Sequence, residues 1–349
     1  MMTRPCLPPG LFLMMPSLPY GSDASGLICA WQFHPDGHAV ALGSAEVEAF
    51  LARPEGERGE GFLWLHVNLS HSACEKWLRR HAGLSDLFHE ALHEGTRSTR
   101  IEYADDCLIA VINDVLFDFA FDASDIATLY LHVGQRLVVS ARSKPLRSVD
   151  HLRAAVKRGL WLESPVDLLV NLLRDQADVL TQIVRDIADR ADGVEDRLLA
   201  NRLERNRSSL GSWRRLLVRL QRLMAPEPAA LFRLLNRPPG WIRERDLLDL
   251  RQSTEEFSTV LQETASLQER IKLLQEEIAG QINEQNNRSL FVLTVVSVLV
   301  LPINIISGLF GMNVGGIPLA EAHDGFWIVV ALVASLTLAA AWFAFRDRD

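Results

Sequence analysis

The chain has 349 residues, 48% of them hydrophobic, and a net charge of −8. That acidity excludes nucleic-acid binding through a basic surface, and the length suffices for a soluble domain plus a small membrane part. Its four cysteines, Cys6, Cys29, Cys74 and Cys107, have no CxxC spacing, so they build neither a disulfide framework nor a zinc knuckle and fit a reducing cytoplasm. Met1–Tyr20 is broken by five prolines, and its apolar piece Leu11–Met15 is too short for the core of a signal peptide. Residues 1–26 read as a disordered leader or a misassigned start.

Residues 27–164 read as an α/β domain. Leu27–Phe33 is a β-rich run, Pro35-Asp36-Gly37 a turn, and His38–Leu42 a second run. Phe62–Val67, Asp106–Phe117, Ile126–Val133 and Arg136–Ala141 are further strands. Ser44–Leu51 and Ala73–Leu92 are helical stretches between them, and strands interleaved with helices suggest an α/β fold.

Residues 165–240 are helical. Val166–Leu199 carries Leu168, Leu169, Leu172, Leu173, Val179, Ile183, Ile187 and Val194 at helical spacing. A second helix covers Arg205–Met224, a short one follows Pro226 and Pro228, and Pro238-Pro239-Gly240 is the last strong break. From Trp241 to Leu301 there is no proline and one glycine, Gly280. A helix over 241–310 would be about 100 Å long at ~1.5 Å per residue. A helix that long needs partners. Phe257, Val260, Thr264, Leu267, Ile271, Leu274, Ile278 and Ile282 form a heptad-like seam for the chain's own helices, for copies of itself, or for both.

Two uncharged segments end the chain, 290–310 and 326–345, each long enough to cross a ~30 Å hydrocarbon core. Arg288 precedes the first, and Arg346 and Arg348 follow the second, while the loop 311–325 has no Lys or Arg. The positive-inside rule puts both termini, including the tail 346–349, in the cytoplasm and the loop outside. One line of the first span is distinctive. Asn283, Asn287, Leu290, Thr294, Ser297, Leu301, Asn304, Gly308 and Gly311 follow steps of four and three and collect most of its polar or small residues. The same rule run backwards meets Glu276 and Glu269, as if one polar stripe ran from stalk to membrane. Helix–helix packing uses such residues too. A pore is the other use, and two spans enclose none, so it would need a ring of copies. The second span, with Trp327 and Trp342 near its ends, suits an outer, lipid-facing position.

Gly311-Met312-Asn313, closing the first of two C-terminal spans, resembles the GMN signature of CorA-type divalent-cation transporters. The following Val314-Gly315-Gly316-Ile317-Pro318-Leu319 resembles the zinc-transporter branch, ZntB, as do Glu94-Gly95-Thr96-Arg97 and Phe62–Val67. Magnesium members tend to have an aromatic and an acidic residue soon after the Asn, where this chain has glycines. The resemblance covers residues 27–349. It implies a homopentamer in a bacterial inner membrane, with a cytoplasmic α/β funnel, a stalk helix lining the pore and a second helix outside. It places Asn313 at the pore mouth and Asn287, Leu290, Thr294, Leu301 and Asn304 along the pore. It implies Zn2+ as the transported ion, taken up with coupling to a proton gradient; export is the alternative, and no residue decides the direction.

From Ser289 to Ala320 there is no Asp, Glu, His or Cys, the ligands a dehydrated zinc ion takes. The pore is therefore expected to pass a partly hydrated ion. A ring of Asn313 amides would hold the hydration shell, and Leu290 and Leu301 would gate by dewetting. Glu321, Asp324 and His323 would gather cations outside, and Glu269 and Glu276 would do so within the funnel. The same fold can serve Mg2+, Co2+ or Ni2+, and a membrane-anchored metal sensor is a more distant alternative.

His89-Glu90-Ala91-Leu92-His93 matches the zinc-protease pattern, yet no downstream helix offers a third ligand. It leaves a regulatory zinc site at His89 and His93 as an expectation. His34, His38, His66, His71, His81 and His132 are isolated surface or core residues. No phosphate loop and no Ser/His/Asp motif points to an enzyme, and no covalent cofactor is expected.

Overall fold

The computed structural model describes residues 21–54, 57–94, 99–200, 207–312, 318 and 323–346. The chain divides into two units, one to Lys272 and one from Leu273.

The first unit is built on a seven-stranded sheet: β1 (Leu27–Phe33), β2 (Ala39–Leu42), β3 (Phe62–Asn68), β4 (Arg100–Ala104), β5 (Cys107–Val115), β6 (Ile126–Val133) and β7 (Leu137–Arg142). The order is β2-β1-β3-β7-β6-β5-β4, with β3 and β7 the parallel pair and the other neighbours antiparallel. Successive strand side chains point to opposite faces, so each strand divides between two cores. Phe62 and Trp64 join one hydrophobic cluster, and Leu63, Leu65 and Val67 join the other. Likewise Leu108, Ala110 and Ile112 oppose Cys107, Ile109 and Val111. Both faces are covered, which is why β5 is buried along its whole length and reads as a continuous apolar run.

The cluster on one face includes residues of α1 (Ser44–Leu51), α2 (Cys74–His81) and α3 (Asp86–Glu94). The other draws on α4 (Arg147–Lys157), α5 (Pro165–Leu199), α7 (Pro226–Asn236) and the start of α8 (Glu244–Phe310). The helical part after residue 165 thus shares a core with the sheet. The Ser164 hydroxyl caps α5 by accepting from the Asp167 N–H at 2.9 Å, and Pro165 takes the first turn, where its missing N–H costs nothing.

Several boundaries differ from the sequence reading. The helix expected over Ala73–Leu92 is two helices, because Gly83 takes φ +58, a left-handed conformation that ends α2. Asp106 lies in a turn rather than a strand: Asp105 and Asp106 have φ 50 and 60, and the Tyr103 hydroxyl donates to Asp106 Oδ1 at 2.5 Å. That turn pairs β5 with β4, a strand the sequence reading passed over, as it passed over α4. The leader does not extend to residue 26. Asp23 Oδ1 accepts from the Ser25 N–H, the Ser25 hydroxyl and the Leu27 N–H, and its other oxygen meets the Ser44 hydroxyl, tying this stretch to α1.

A single residue, Ala225, separates α6 (Arg207–Met224) from α7. Along α8, Phe257, Leu261, Thr264, Leu267, Ile271, Leu274 and Ile278 are buried. The expected seam is present with two adjustments: Val260 is half-buried and cedes its place to Leu261, and Ile282 is only half-buried. Arg270 on α8 pairs with Asp192 at 2.6 Å and with Glu195, both on α5.

The second unit holds the remainder of α8 and α9 (Gly325–Arg346). Both helices are long and apolar enough to span a membrane, and their apolar windows are almost wholly unburied. That exposure separates them from the core helix of a soluble protein, which would be covered. α8 continues through Pro302, whose ring removes one helical hydrogen bond.

Candidate functional site

On α8 the residues Asn283, Asn287, Leu290, Thr294, Ser297, Leu301, Asn304 and Gly308 are all exposed. Exposure alone selects nothing in a span where most residues are exposed. The covered residues are more informative. Phe291, Val295, Leu299, Pro302 and Ile306 are half-buried and recur at steps of four, four, three and four. α9 has a corresponding half-buried line of Val329, Val333, Thr337 and Ala340. Successive helical residues are rotated by ~100°. The polar stripe sits one residue before the covered line at most positions, so it occupies a different face, open along its length.

The stripe averages 3.5 residues per turn, against 3.6 for a straight helix, and drifts by ~20° every seven residues. It stays on one side only where helices wind left-handed about a common axis. The Thr294 hydroxyl donates to the Leu290 carbonyl at 2.8 Å, and the Ser297 hydroxyl to the Leu293 carbonyl at 2.9 Å. Their oxygens thereby offer lone pairs, not protons, outward. Gly311 N–H still bonds the Ser307 carbonyl at 2.9 Å, and a Cβ at Gly311 would lie 2.9 Å from that same oxygen. A glycine fits this tight end of the helix. Met312 beside it is exposed. Asn313, the glycines after it and Glu321 lie outside the described residues; His323 and Asp324 are described and exposed.

Further down α8, Glu269 is exposed and pairs with Lys272 Nζ at 2.8 Å, which partly neutralises it as an attractor of cations. Glu276 is exposed.

His89 and His93 share α3 but serve different ends. His89 is buried, and burial lowers its basicity. His93 Nδ1 lies 2.7 Å from the His89 carbonyl oxygen and its Nε2 3.2 Å from Glu75. Among the described residues no three His, Cys, Asp or Glu side chains gather as a metal site would require. Among the described residues, His89 and His93 are therefore not joined by a third side chain into a metal-binding group.

The isolated histidines conceal a polar core that the sequence reading did not assemble. Trp64 Nε1 donates to Ser140 Oγ at 2.9 Å, and His66 Nδ1 lies 2.8 Å from the same oxygen. Arg142 Nε donates to His66 Nε2 at 3.2 Å. That donation fixes His66 as the neutral tautomer with its proton on Nδ1, and the Ser140 hydroxyl can then donate to the Leu65 carbonyl at 3.2 Å. Burial, followed by the nearby Arg142 and Arg153 charges, holds His66 well below the usual imidazole range. No spacing signal could have found this group, because β3 and β7 join it across more than seventy residues of chain.

The model of the family described as CorA-like Mg2+ transporter protein matches residues 59–346. The chain belongs to the CorA family. The divalent cation transporter CmaX of Pseudomonas aeruginosa is 28% identical over 326 residues, covering 93% of this chain and 96% of that protein. The zinc transport protein ZntB of Yersinia pseudotuberculosis is 23% identical, covering 93% and 97%. The structure of full-length CmaX superposes with a TM-score of 0.78 at 27% identity, over 94% of this chain and 99% of that one. As a CorA-family member, this chain is a membrane transporter of divalent cations, with an α/β soluble domain, a long helix and two C-terminal apolar helices.

Proposed function

We propose that the chain carries zinc through a pore lined by α8 at the centre of a homopentamer. The observation that supports this most is the open stripe on α8, which sets Thr294, Ser297, Asn304 and Gly308 off the half-buried face of an otherwise apolar span. A mid-span amide facing lipid is costly. A ring of copies turning the line inward removes that cost and leaves α9 to the lipid. Leu290 and Leu301 form apolar constrictions, and Asn283 and Asn287 line the approach. At the outer mouth Gly311-Met312-Asn313 meets the hydrated ion, with Glu321, His323 and Asp324 gathering cations beyond it. Glu269 and Glu276 face the funnel. Both termini lie in the cytoplasm of a bacterial inner membrane, and transport is uptake driven with protons.

The likeness to ZntB proteins and the glycines at 315 and 316 favour zinc. A second reading, Mg2+, Co2+ or Ni2+ through the same pore, draws support from the family description and from the likeness to CmaX. Metal flux into proteoliposomes, with and without a pH gradient, tests both. Zinc uptake that a pH gradient accelerates supports the first. Magnesium flux indifferent to excess zinc overturns it, and no flux of any metal overturns both.

A further inference from the structure

Two buried side chains, Glu227 in the first turn of α7 and Gln176 on α5, each have one oxygen with no hydrogen-bond partner: Glu227 Oε1 and Gln176 Oε1. Glu227 is 0% exposed and Gln176 1%. The two are already joined, for Gln176 Nε2 donates to Glu227 Oε2 at 3.3 Å and to the Asn113 carbonyl at 2.7 Å. The second bond fixes which end of the amide is nitrogen. Both amide hydrogens are then engaged, and an ionised carboxylate has none to give. Two acceptor oxygens are left buried in one pair of side chains, which is unfavourable. A single proton relieves both. A carboxylic acid and a primary amide are complementary, each giving one hydrogen bond and accepting one.

We infer that Glu227 is a neutral carboxylic acid that clasps α7 to α5 through a reciprocal pair with Gln176, and that ionisation opens the clasp. Glu227 Oε1–H donates to Gln176 Oε1, while Gln176 Nε2–H donates to Glu227 Oε2. Loss of the Oε1 proton to water leaves a buried anion and strands the Gln176 oxygen. Glu227 stands in the first turn of α7, where a carboxylate gains from the helix dipole. That gain is small beside the cost of an unpaired buried charge.

The neighbourhood has the sign this requires. On β5, burial raises the Asp114 acid to about 6, opposed by hydrogen bonds to its carboxyl group from the Ser148 hydroxyl and N–H at the start of α4 and from the Val115 N–H. On α5, Asp175 is raised to about 7 by burial, then by Asp178 and Asp114, with Arg158 opposing. Arg147 of α4 acts on Asp114. From beside β4, Thr99 Oγ1 donates to the Leu223 carbonyl at the end of α6 at 2.6 Å, an uncharged contact. Burial pushes the Glu227 acid up to about 8; the Gln176 hydrogen bond opposes this and Asp114 reinforces it. With the folded value above the unfolded one, the clasp contributes fully below the ordinary carboxylate range and is lost as pH rises towards 8.

The test uses the full-length protein in lipid nanodiscs. The infrared difference between wild type and Glu227→Gln at neutral pH should contain one protonated-carboxyl C=O band, and its absence overturns the inference. Gln176→Leu should retain that band at a shifted frequency, since the acid loses its acceptor; an unshifted band overturns the pairing. Amide exchange across α7, corrected for intrinsic rates, should accelerate several-fold in wild type as pH passes 8 and stay level in Glu227→Gln, where two amides pair permanently. Equal pH profiles overturn the clasp. Magnesium or zinc that abolishes the band at neutral pH would show a cation in the proton's place and also overturn it.

Discussion

Leu290 and Phe291 are neighbours on α8 with different surroundings: Leu290 is 60% exposed on the open stripe, while Phe291 is half-buried on the covered line. One rotation of ~100° separates the face shielded within the chain from the face left open.

The two positions should fail differently. With the stripe as the proposed pathway, Leu290→Ala should change metal flux into proteoliposomes several-fold with little loss of stability. Phe291→Ala should cost about 1–2 kcal/mol of thermal stability, the usual scale for truncating a partly packed side chain, and leave ion preference as it was. Equal effects on flux would reject the stripe as the pathway.

Acid should loosen the soluble domain through His66. Burial and the Arg142 and Arg153 charges hold its folded pKa well below the ordinary imidazole range, so below that range the unfolded chain binds the extra proton and stability falls as pH falls. The slope is up to ~1.4 kcal/mol per pH unit for one proton. Denaturant titrations between neutral and mildly acidic pH should show a shallower slope in His66→Gln.

Arg270 is 43% exposed and bridges α8 to Asp192 and Glu195 on α5. A pair so open to water contributes at most about 1 kcal/mol, and less in high salt. A double-mutant cycle of Arg270→Ala with Glu195→Ala should return a small coupling that salt erases. A large, salt-independent coupling would show that the bridge is far less screened than its exposure implies.

Gly61 has φ +120, and a Cβ there would lie 2.2 Å from the Phe33 carbonyl oxygen. Both the conformation and the backbone contact oppose a side chain. Gly61→Ala should destabilise by several kcal/mol, because the clash is with β1 itself. A thermal midpoint close to wild type would contradict the close approach of this segment to β1.

Much of the fold was legible from pattern. β1 and β6 fall where their apolar, β-branched runs begin and end, and α5 covers the amphipathic run Val166–Leu199 with Pro165 ahead of it. β4 escaped notice because an edge strand with Arg100, Glu102 and Tyr103 has no sustained apolar run, and its pairing depends on the turn at Asp105 and Asp106. α4 escaped because its charged residues obscure the buried set of Val149, Leu152 and Val156. The 73–92 helix was overextended because Gly83 ends α2 through its backbone angle, which composition does not reveal.

Sequence alone determined what recurs locally: the two spans, the polar stripe, the Gly311-Met312-Asn313 signature and the strand alternation. Each follows from residue type at a fixed period along a helix or strand. Only the tertiary structure decided which face of α8 is covered, that His66 is held neutral between Arg142 and Ser140, and that Glu227 meets Gln176. These partners are far apart in sequence, 51 residues in the last case. Their burial and protonation follow from which surfaces the packed helices and sheet bring together, and no local period encodes that.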